Sequence, residues 1–336
     1  MAKEKSEPKE SSKYMKLDDV LGSLEKDYGK GNTYQFNNFK RPSVEFISTR
    51  SLGLDKALGG GWARGRMSEL YAPESVGKTT LAMLAIAEVQ SKGELAAIID
   101  MEHSFNVDYA EKLGVNVGDL IFTQPDYGEQ ALDIVERLLH VENMGYICVD
   151  SIASLIPKAE LEGDFGDLKM GLQARMMSQA MRKLSPIVGK TRCHLQLINQ
   201  YRMKLGLQFG DPRVTTGGEA MKYYASQRLE LLKGTAYMDG KGDDADDIGH
   251  DIKVKIKKNK VSPPFKKALI PLIYGYGIDQ RREVIDFGVA QDIIKKGGSW
   301  YSYGDVKLGQ GKDAVVQLLE DNPELMQEIR GKISLD

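Results

Sequence analysis

The sequence predicts an α/β fold: a mostly parallel, twisted sheet covered by helices on both faces, followed by a small α+β C-terminal domain. Three observations predict it. Between residues 45 and 275 of the 336-residue chain, apolar strand-like runs alternate with amphipathic helical patterns, as expected of strands joined by crossover helices. One strand–helix junction carries Ala72-Pro73-Glu74-Ser75-Val76-Gly77-Lys78-Thr79, a spacing of small residue, Gly, Lys and Thr that makes a pocket for nucleotide phosphates. Beyond residue 280 the pattern changes to a helix, Gly297-Gly298, a hairpin and a terminal helix.

Taken in order, residues 1–13 are charged, Ser-rich and aperiodic, which predicts a disordered tail. Leu17, Val20, Leu21 and Leu24 fall at i, i+3, i+4 and i+7 and predict an amphipathic helix ending near Gly29. The polar stretch 30–42 reads as a linker, so this helix is expected to dock on something other than its own core. Strands are predicted at 67–71, 95–99, 146–150, 194–198, 228–232, 252–257 and 269–274, and helices at 79–91, 107–113, 128–140 and 171–188. The last strands lack intervening helices, which predicts an antiparallel extension of the sheet. Helix 171–188 is expected to pack through Leu172, Met176, Ala180 and Leu184, with Arg175, Ser178, Gln179 and Arg182 on another face, which alone reads as an ordinary solvated surface. The C-terminal region is expected to run as a helix to Lys296, a hairpin through Trp300 and Tyr303, and one terminal helix.

Bulk properties exclude several classes. With 41% hydrophobic and 28% charged residues the composition is that of an ordinary globular protein. No apolar run approaches the roughly 18 residues of a membrane span, and no apolar segment follows Met1-Ala2-Lys3-Glu4-Lys5, so neither a membrane partner nor a secretory signal is expected. Cys148 and Cys193 lie in apolar strand-like runs and read as small buried thiols in a reducing, cytoplasmic setting. A net charge of −2 means that any nucleic-acid binding must come from local patches.

The chemistry concentrates at predicted strand ends. In the phosphate loop the backbone N–H groups before Lys78 point at an anion, which also meets the positive end of the following helix. Lys78 reaches the β- and γ-phosphates, and the Thr79 hydroxyl is a ligand for Mg²⁺; Thr80 follows in the first helical turn. Asp150 ends the strand Tyr146–Asp150, where a carboxylate balances Mg²⁺ directly or through water, although such acids also serve as plain turn starters. Asp100 and Glu102 end a second strand. One carboxylate there is suited to orienting the attacking water; Asp100 also reads as a helix cap, Glu102 is harder to assign to structure alone, and His103 reads as structural. Asn199 and Gln200 end a third, with an amide there suited to sensing the γ-phosphate. The aperiodic segment Tyr201–Gly218 follows, with Arg202, Lys204 and Arg213 against Asp211, and Phe209 available to stack on a base. Glu160–Met170 is a second candidate loop. In the strand from Asp251, Ile252, Val254 and Ile256 face inward. Lys258 and Lys260 continue that parity, so a regular strand would aim them at a buried or interfacial anion such as a neighbouring subunit's ATP. A local bulge that returns them to solvent is the alternative.

Together these pieces resemble the RecA family of recombinases, in order, over about residues 14–330. The resemblance is carried by Lys158-Ala159-Glu160, Met170-Gly171-Leu172, Ala174 to Leu184, Ile198-Asn199-Gln200, Arg202-Met203-Lys204, Thr215-Thr216-Gly217-Gly218, Lys258-Asn259-Lys260 and Gly297 to Tyr303. It implies a DNA-dependent ATPase that uses ATP and Mg²⁺, forms a helical filament on single-stranded DNA, and pairs it with homologous duplex in DNA repair and the SOS response. It implies nucleotide binding by residues 72–80, with Asp150 on Mg²⁺ and Tyr109 and Tyr274 flanking the adenine. Glu102 would position water, Gln200 would couple γ-phosphate to DNA, and Lys258 and Lys260 would act across the subunit interface. DNA would contact Met170, Arg175, Ser178, Arg182, Arg202, Phe209, Arg213, Gly217 and Gly218, in loops 160–170 and 201–218. The implied division is an oligomerisation helix and linker at 14–45, a RecA-type ATPase core at 46–276, and a duplex-binding domain at 277–336. A repressor of the LexA type and single-strand-binding or loader proteins are the implied partners.

Three features depart from the family pattern. Ala72 replaces a Gly, a change tolerated where φ stays negative. Glu219 replaces the usual Asn after Gly-Gly and is expected to cap a helix N-terminus. Ile333-Ser334-Leu335-Asp336 is not an acidic tail, from which weaker self-inhibition of duplex binding is expected. A nucleotide-switched scaffold with negligible hydrolysis and a hexameric helicase are the competing readings. The first is opposed by Lys78, Glu102 and Gln200, the second by the N-terminal helix, the paired loops and the C-terminal domain.

Overall fold

A computed structural model describes residues 14–30, 33, 35, 43–164, 171–203, 213–240 and 246–335. The expected tail at 1–13 lies outside the described residues. The chain divides into two units, Met1–Ser43 and Val44–Asp336. The first holds helix α1 (Leu17–Tyr28), none of whose residues is buried.

The second unit opens with a short antiparallel pair, β1 (Phe46–Ile47) and β2 (Trp62–Ala63), on either side of α2 (Leu52–Leu58). Strand–helix alternation follows: β3 (Met67–Ala72), α3 (Lys78–Gln90), β4 (Leu95–Asp100), α4 (Val107–Lys112), β5 (Ile121–Thr123), α5 (Gly128–Leu138) and β6 (Met144–Asp150). Then come α6 (Lys158–Leu161), α7 (Leu172–Val188), β7 (His194–Met203), β8 (Arg213–Thr215) and α8 (Ala220–Tyr224). Three strands without helices between them complete the sequence, β9 (Gln227–Asp239), β10 (Asp246–Asn259) and β11 (Lys267–Ile273), with the short β12 (Gly277–Ile278).

The sheet runs β12-β11-β10-β9-β3-β7-β6-β4-β5. From β9 to β5 all pairings are parallel, and β10, β11 and β12 form the antiparallel extension. Every residue of β3 and β6 is buried, because parallel strands in this position are covered on both faces. Their side chains alternate between two cores. Leu70, Ile98, Tyr146, Cys148 and Ile198 pack with α2 and α3, whereas Ile99, Ile147, Val149, Leu195 and Leu197 pack with α5 and α7. Cys148 and Cys193 are free and buried. At roughly 1.5–3 kcal/mol for each large side chain fully buried, Leu81, Met83, Ile86 and Val89 fix α3, and with it the loop at its mouth.

The C-terminal segment has its own core of Val284, Ile285, Ile294, Tyr301, Leu308, Val315, Leu319 and Ile329. It consists of α9 (Gln280–Ala290), an antiparallel sheet of β13 (Lys295–Gly297), β14 (Trp300–Tyr303) and β15 (Val306–Gln310), and helices α10 (Lys312–Asp321) and α11 (Pro323–Lys332).

Four expectations need correction. Helix α9 stops at Ala290, not Lys296, because the chain folds inward: Ile293 and Ile294 both donate to the Gly288 carbonyl, and Ile294 is buried. The hairpin is a three-stranded sheet. The single terminal helix is two, divided at Pro323, which has no N–H to continue the first. Helix α7 buries Met177, Met181, Leu184 and Val188, with the expected Met176 and Ala180 packed at the edge of the same core, so its inward stripe is turned only slightly from the expected one and Leu172 lies off it.

Candidate functional site

Strand β3, the loop 73–77 and α3 place the phosphate-loop sequence at the C-terminal edge of the parallel sheet, where ligands of such sheets bind. Gly77 is the N-cap of α3, with φ 108°, and a Cβ there would lie 2.8 Å from Ile252 Cδ1 and 3.2 Å from Leu272 Cδ2. Only glycine suits both the backbone and the close approach. Ala72 ends β3 and is not among the residues of positive φ, so its methyl is accommodated without strain. A cavity of about 800 Å³ opens over this loop. It gathers Glu74, Ser75, Gly77, Lys78, Thr79, Thr80, Glu102, Tyr109, Asp150, Gln200 and Tyr274 from six separate stretches of chain.

Within it Lys78 is buried, and its ammonium donates to the carbonyls of Pro73 at 2.8 Å and Ala72 at 3.4 Å. Burial lowers the Lys78 amine below its ordinary value, while the charges of Asp150, Glu102 and Glu74 act in the opposite direction. The Thr79 hydroxyl donates to Asp150 Oδ2 at 2.7 Å. Burial pushes Asp150 up to about 6 against the Thr79 hydrogen bond and Lys78, with Glu102 and Asp100 adding to the rise. Val76 is buried beneath the loop. The hydroxyls of Thr80 and Tyr109 are 3.2 Å apart, and Tyr274 stands half-exposed on the far wall.

Glu102 sits just beyond the ends of β4 and β6, beside Gln200 of β7. Its Oε1 accepts from Gln200 Nε2 at 2.7 Å and from the Ser151 hydroxyl, just beyond the cis Asp150–Ser151 peptide. Gln200 pairs in register with Ala72. The adjacent Asn199 accepts from the Gln200 N–H at 2.8 Å and from the Thr216 hydroxyl. It donates to Glu69 Oε1 at 2.9 Å and to the Thr216 carbonyl at 3.0 Å. A continuous polar path thus joins Glu102 to the glycine segment 215–218. Asp100 does not cap a helix. Its carboxylate accepts from the N–H groups of Glu102, Ser104 and Phe105 and from Gln124, and so closes the turn that presents Glu102. Asn106 caps α4 instead.

Lys258 and Lys260 are not brought into this cavity. The β9–β10 ladder slips between Ile256 and Lys258, and the shift turns Asn259 inward in their place, where its amide donates to the Leu58 carbonyl at 2.9 Å. The regular-strand expectation therefore fails and the bulge replaces it. Lys258 donates to the carbonyls of Lys222 and Tyr223 at the end of α8, at 2.6 and 2.9 Å, and burial lowers its amine. Lys260 is exposed.

Of the residues expected at DNA, Met170 and Phe209 lie outside the described residues, as do 165–170 and 204–212 of the two loops. Arg175 and Arg182 are exposed on α7, and Arg202 is exposed near the end of β7. The Ser178 hydroxyl donates to the Ala174 carbonyl at 2.8 Å and is used within its own helix. The Arg213 guanidinium lies 5.2 Å from the centre of the Tyr201 ring. Gly217 and Gly218 have φ of 80° and 74°, and a Cβ on Gly218 would meet Ala174 Cβ at 2.9 Å. Glu219 stands at the N-cap of α8 but makes no side-chain cap bond; its carboxylate pairs with Lys222 at 2.6 Å.

Sequence reasoning missed Asn106, Asp108 and Lys112, which line the cavity, and Ser151 and His250, which touch its lining residues. Only Ser151, next to Asp150, had a local signal.

A phosphate loop at a parallel sheet edge, with a strand-end carboxylate bonded to the loop threonine, defines a P-loop nucleoside triphosphatase. Comparison with known proteins narrows the class. The family model of the RecA N-terminal domain matches residues 15–279 and that of the RecA C-terminal domain residues 282–335. Protein RecA of Porphyromonas gingivalis is 52% identical over 311 residues, covering 92% of this chain and 90% of that protein. Protein RecA of Bacteroides thetaiotaomicron is 50% identical over 324 residues (96% and 97%), and that of Bordetella avium 48% over 332 (98% and 93%). The crystal structure of the RadB recombinase superposes with a TM-score of 0.51 at 24% identity, covering 69% of this chain and 98% of that one, a likeness of fold. The chain belongs to the RecA family. It is a recombinase and DNA-dependent ATPase, using nucleotide, binding DNA and forming filaments. No helix among the described residues is long and apolar enough to cross a membrane.

Proposed function

We propose that the protein hydrolyses ATP with Mg²⁺ as a helical filament on single-stranded DNA, pairs that strand with homologous duplex, and exchanges strands in cytoplasmic DNA repair. The observation that carries this reading is the meeting of Lys78, Thr79, Glu102, Asp150 and Gln200 in one cavity, with Gln200 joined through Asn199 to the segment 215–218.

Residues 72–80 would hold the triphosphate, with Tyr109 and Tyr274 on either side of the base. Thr79 and Asp150 offer hard oxygens, and among the described residues no three acidic, His or Cys side chains are arranged to hold a metal ion by themselves. This donor set fits Mg²⁺, which takes few protein oxygens and keeps water and phosphate for the rest. Bound there, the ion would neutralise phosphate charge. Lys78 would exchange its loop carbonyls for phosphate oxygens. Glu102 would orient a water and take its proton as the water oxygen attacks the γ-phosphorus and the bridging bond to ADP breaks. Gln200 already contacts that carboxylate, so its position would report γ-phosphate to the DNA loops.

Arg175, Arg182, Arg202 and Arg213 would meet the DNA backbone. Exposed Lys260, with Lys258, would reach a neighbouring protomer's nucleotide. Residues 14–45 would join protomers, 46–276 would form the motor, and 277–336 would recruit duplex. A LexA-type repressor and single-strand-binding or loader proteins would be further partners. Calorimetry and turnover assays test the assignment. Lys78→Ala should abolish ATP binding, and Glu102→Gln should keep ATP and filaments while hydrolysis falls by about 10²–10⁴-fold. Normal turnover in the Glu102 variant would remove that residue from its role.

A further inference from the structure

His250 is fully buried in β10, outside every motif of the family resemblance, yet it touches both ends of the cavity. Its Nδ1 lies 2.9 Å from the Tyr274 hydroxyl, and its Nε2 lies 3.4 Å from the Val76 carbonyl of the phosphate loop. The rings of His250 and Tyr274 are 5.5 Å apart. A carbonyl only accepts, so Nε2 carries the proton. Burial holds the imidazole below its ordinary pKa and so favours the neutral ring, with Lys233 adding to the effect and the Val76 carbonyl, Asp247 and Asp251 opposing it. Nδ1 is then an acceptor, and the Tyr274 hydroxyl donates to it. The Lys233 ammonium also stands beside the Tyr274 hydroxyl, 5.8 Å from the ring centre. The same strands floor the loop, since Ile252 and Leu272 lie directly under Gly77.

We propose that His250 is a positioning residue of the nucleotide site, one ring nitrogen holding the Tyr274 hydroxyl and the other the Val76 carbonyl, so that the base wall and the phosphate loop are set as one piece. The inference rests on the nucleotide reading above and deepens it: affinity for the base and affinity for the triphosphate share one side chain. The two bonds can be cut separately. Glutamine places an N–H donor near the Nε2 position, and asparagine places an acceptor near Nδ1.

Calorimetry with two probes, ATP and inorganic tripolyphosphate, each with Mg²⁺, distinguishes them. His250→Gln should lose about fivefold in ATP affinity and hold tripolyphosphate within twofold of wild type, as expected for one hydrogen bond. His250→Asn should lose about fivefold for both probes. Tyr274→Phe should lose at least as much ATP affinity as His250→Gln, and the two losses should not multiply, because both cut the His250–Tyr274 bond. If the two His250 variants behave alike, or if the losses from His250→Gln and Tyr274→Phe multiply, the inference is wrong. Should a His250 variant fail to fold, Tyr274→Phe decides alone, since that side chain is half-exposed; ATP affinity equal to wild type overturns the proposal. Wild-type protein that binds neither probe overturns the nucleotide reading itself.

Discussion

Asp150 lies under the phosphate loop with its carboxyl pushed up to about 6 by burial, from an ordinary value of 3.8. An acid raised in the folded state opposes folding when it is charged. The cost is absent below pH 4, grows between about pH 4 and 6, and is complete above that. Asp150→Asn should therefore stabilise the nucleotide-free protein by up to about 3 kcal/mol at pH 8. That gain should shrink as the pH falls from 6 to 4, while affinity for Mg²⁺–ATP drops. Denaturant unfolding of both proteins across that range checks the sign, and a difference that does not vary with pH would refute it. The same residue shows why such sites keep a costly charge: the cation that would repay it arrives with the substrate. Lys78 and its loop carbonyls are the complementary case, a buried amine held by oxygens that phosphate would displace.

The bulge in β10 decides what Lys258 and Lys260 do. Lys258 closes the end of α8 through two carbonyls, whereas Lys260 stands in solvent. Lys258→Met should cost about 1 kcal/mol of stability, because two acceptors lose their donor, and Lys260→Met should stay within about 0.5 kcal/mol. Both should lose DNA stimulation of ATPase if they reach a neighbouring nucleotide; unchanged stimulation in Lys260→Met would exclude the interface role. These elements also mark what the sequence reveals. The strands at 67–71, 95–99 and 146–150 and helix 171–188 were legible because burial on both sheet faces and helical periodicity are local signals. The phosphate loop was legible because its chemistry lies in eight consecutive residues. The end of α9, the rotated stripe of α7 and the bulge were not, since each is set by a partner distant in sequence: Ile294 folding back on Gly288, the sheet beneath Met177, and Leu58 receiving Asn259. His250 was invisible for the same reason, because its two partners lie just past β11 and in the phosphate loop.

Across the whole molecule, one polar route runs from Glu102 and Gln200 through Asn199 to Thr216, between the nucleotide cavity and the proposed DNA loop. The exposed Arg175, Arg182 and Arg202 are basic features of a chain whose net charge is only −2. DNA affinity should therefore be local, electrostatic and steeply reduced by salt, and a flat salt dependence would separate those arginines from binding. On this reading, DNA at the loops governs hydrolysis in the cavity. The most direct measurement is ATP hydrolysis with Mg²⁺ at low salt, with and without poly(dT). Slow turnover alone and strong stimulation by the single strand are expected. Turnover indifferent to poly(dT), or filaments that form on DNA with ATP and never hydrolyse it, would contradict that reading.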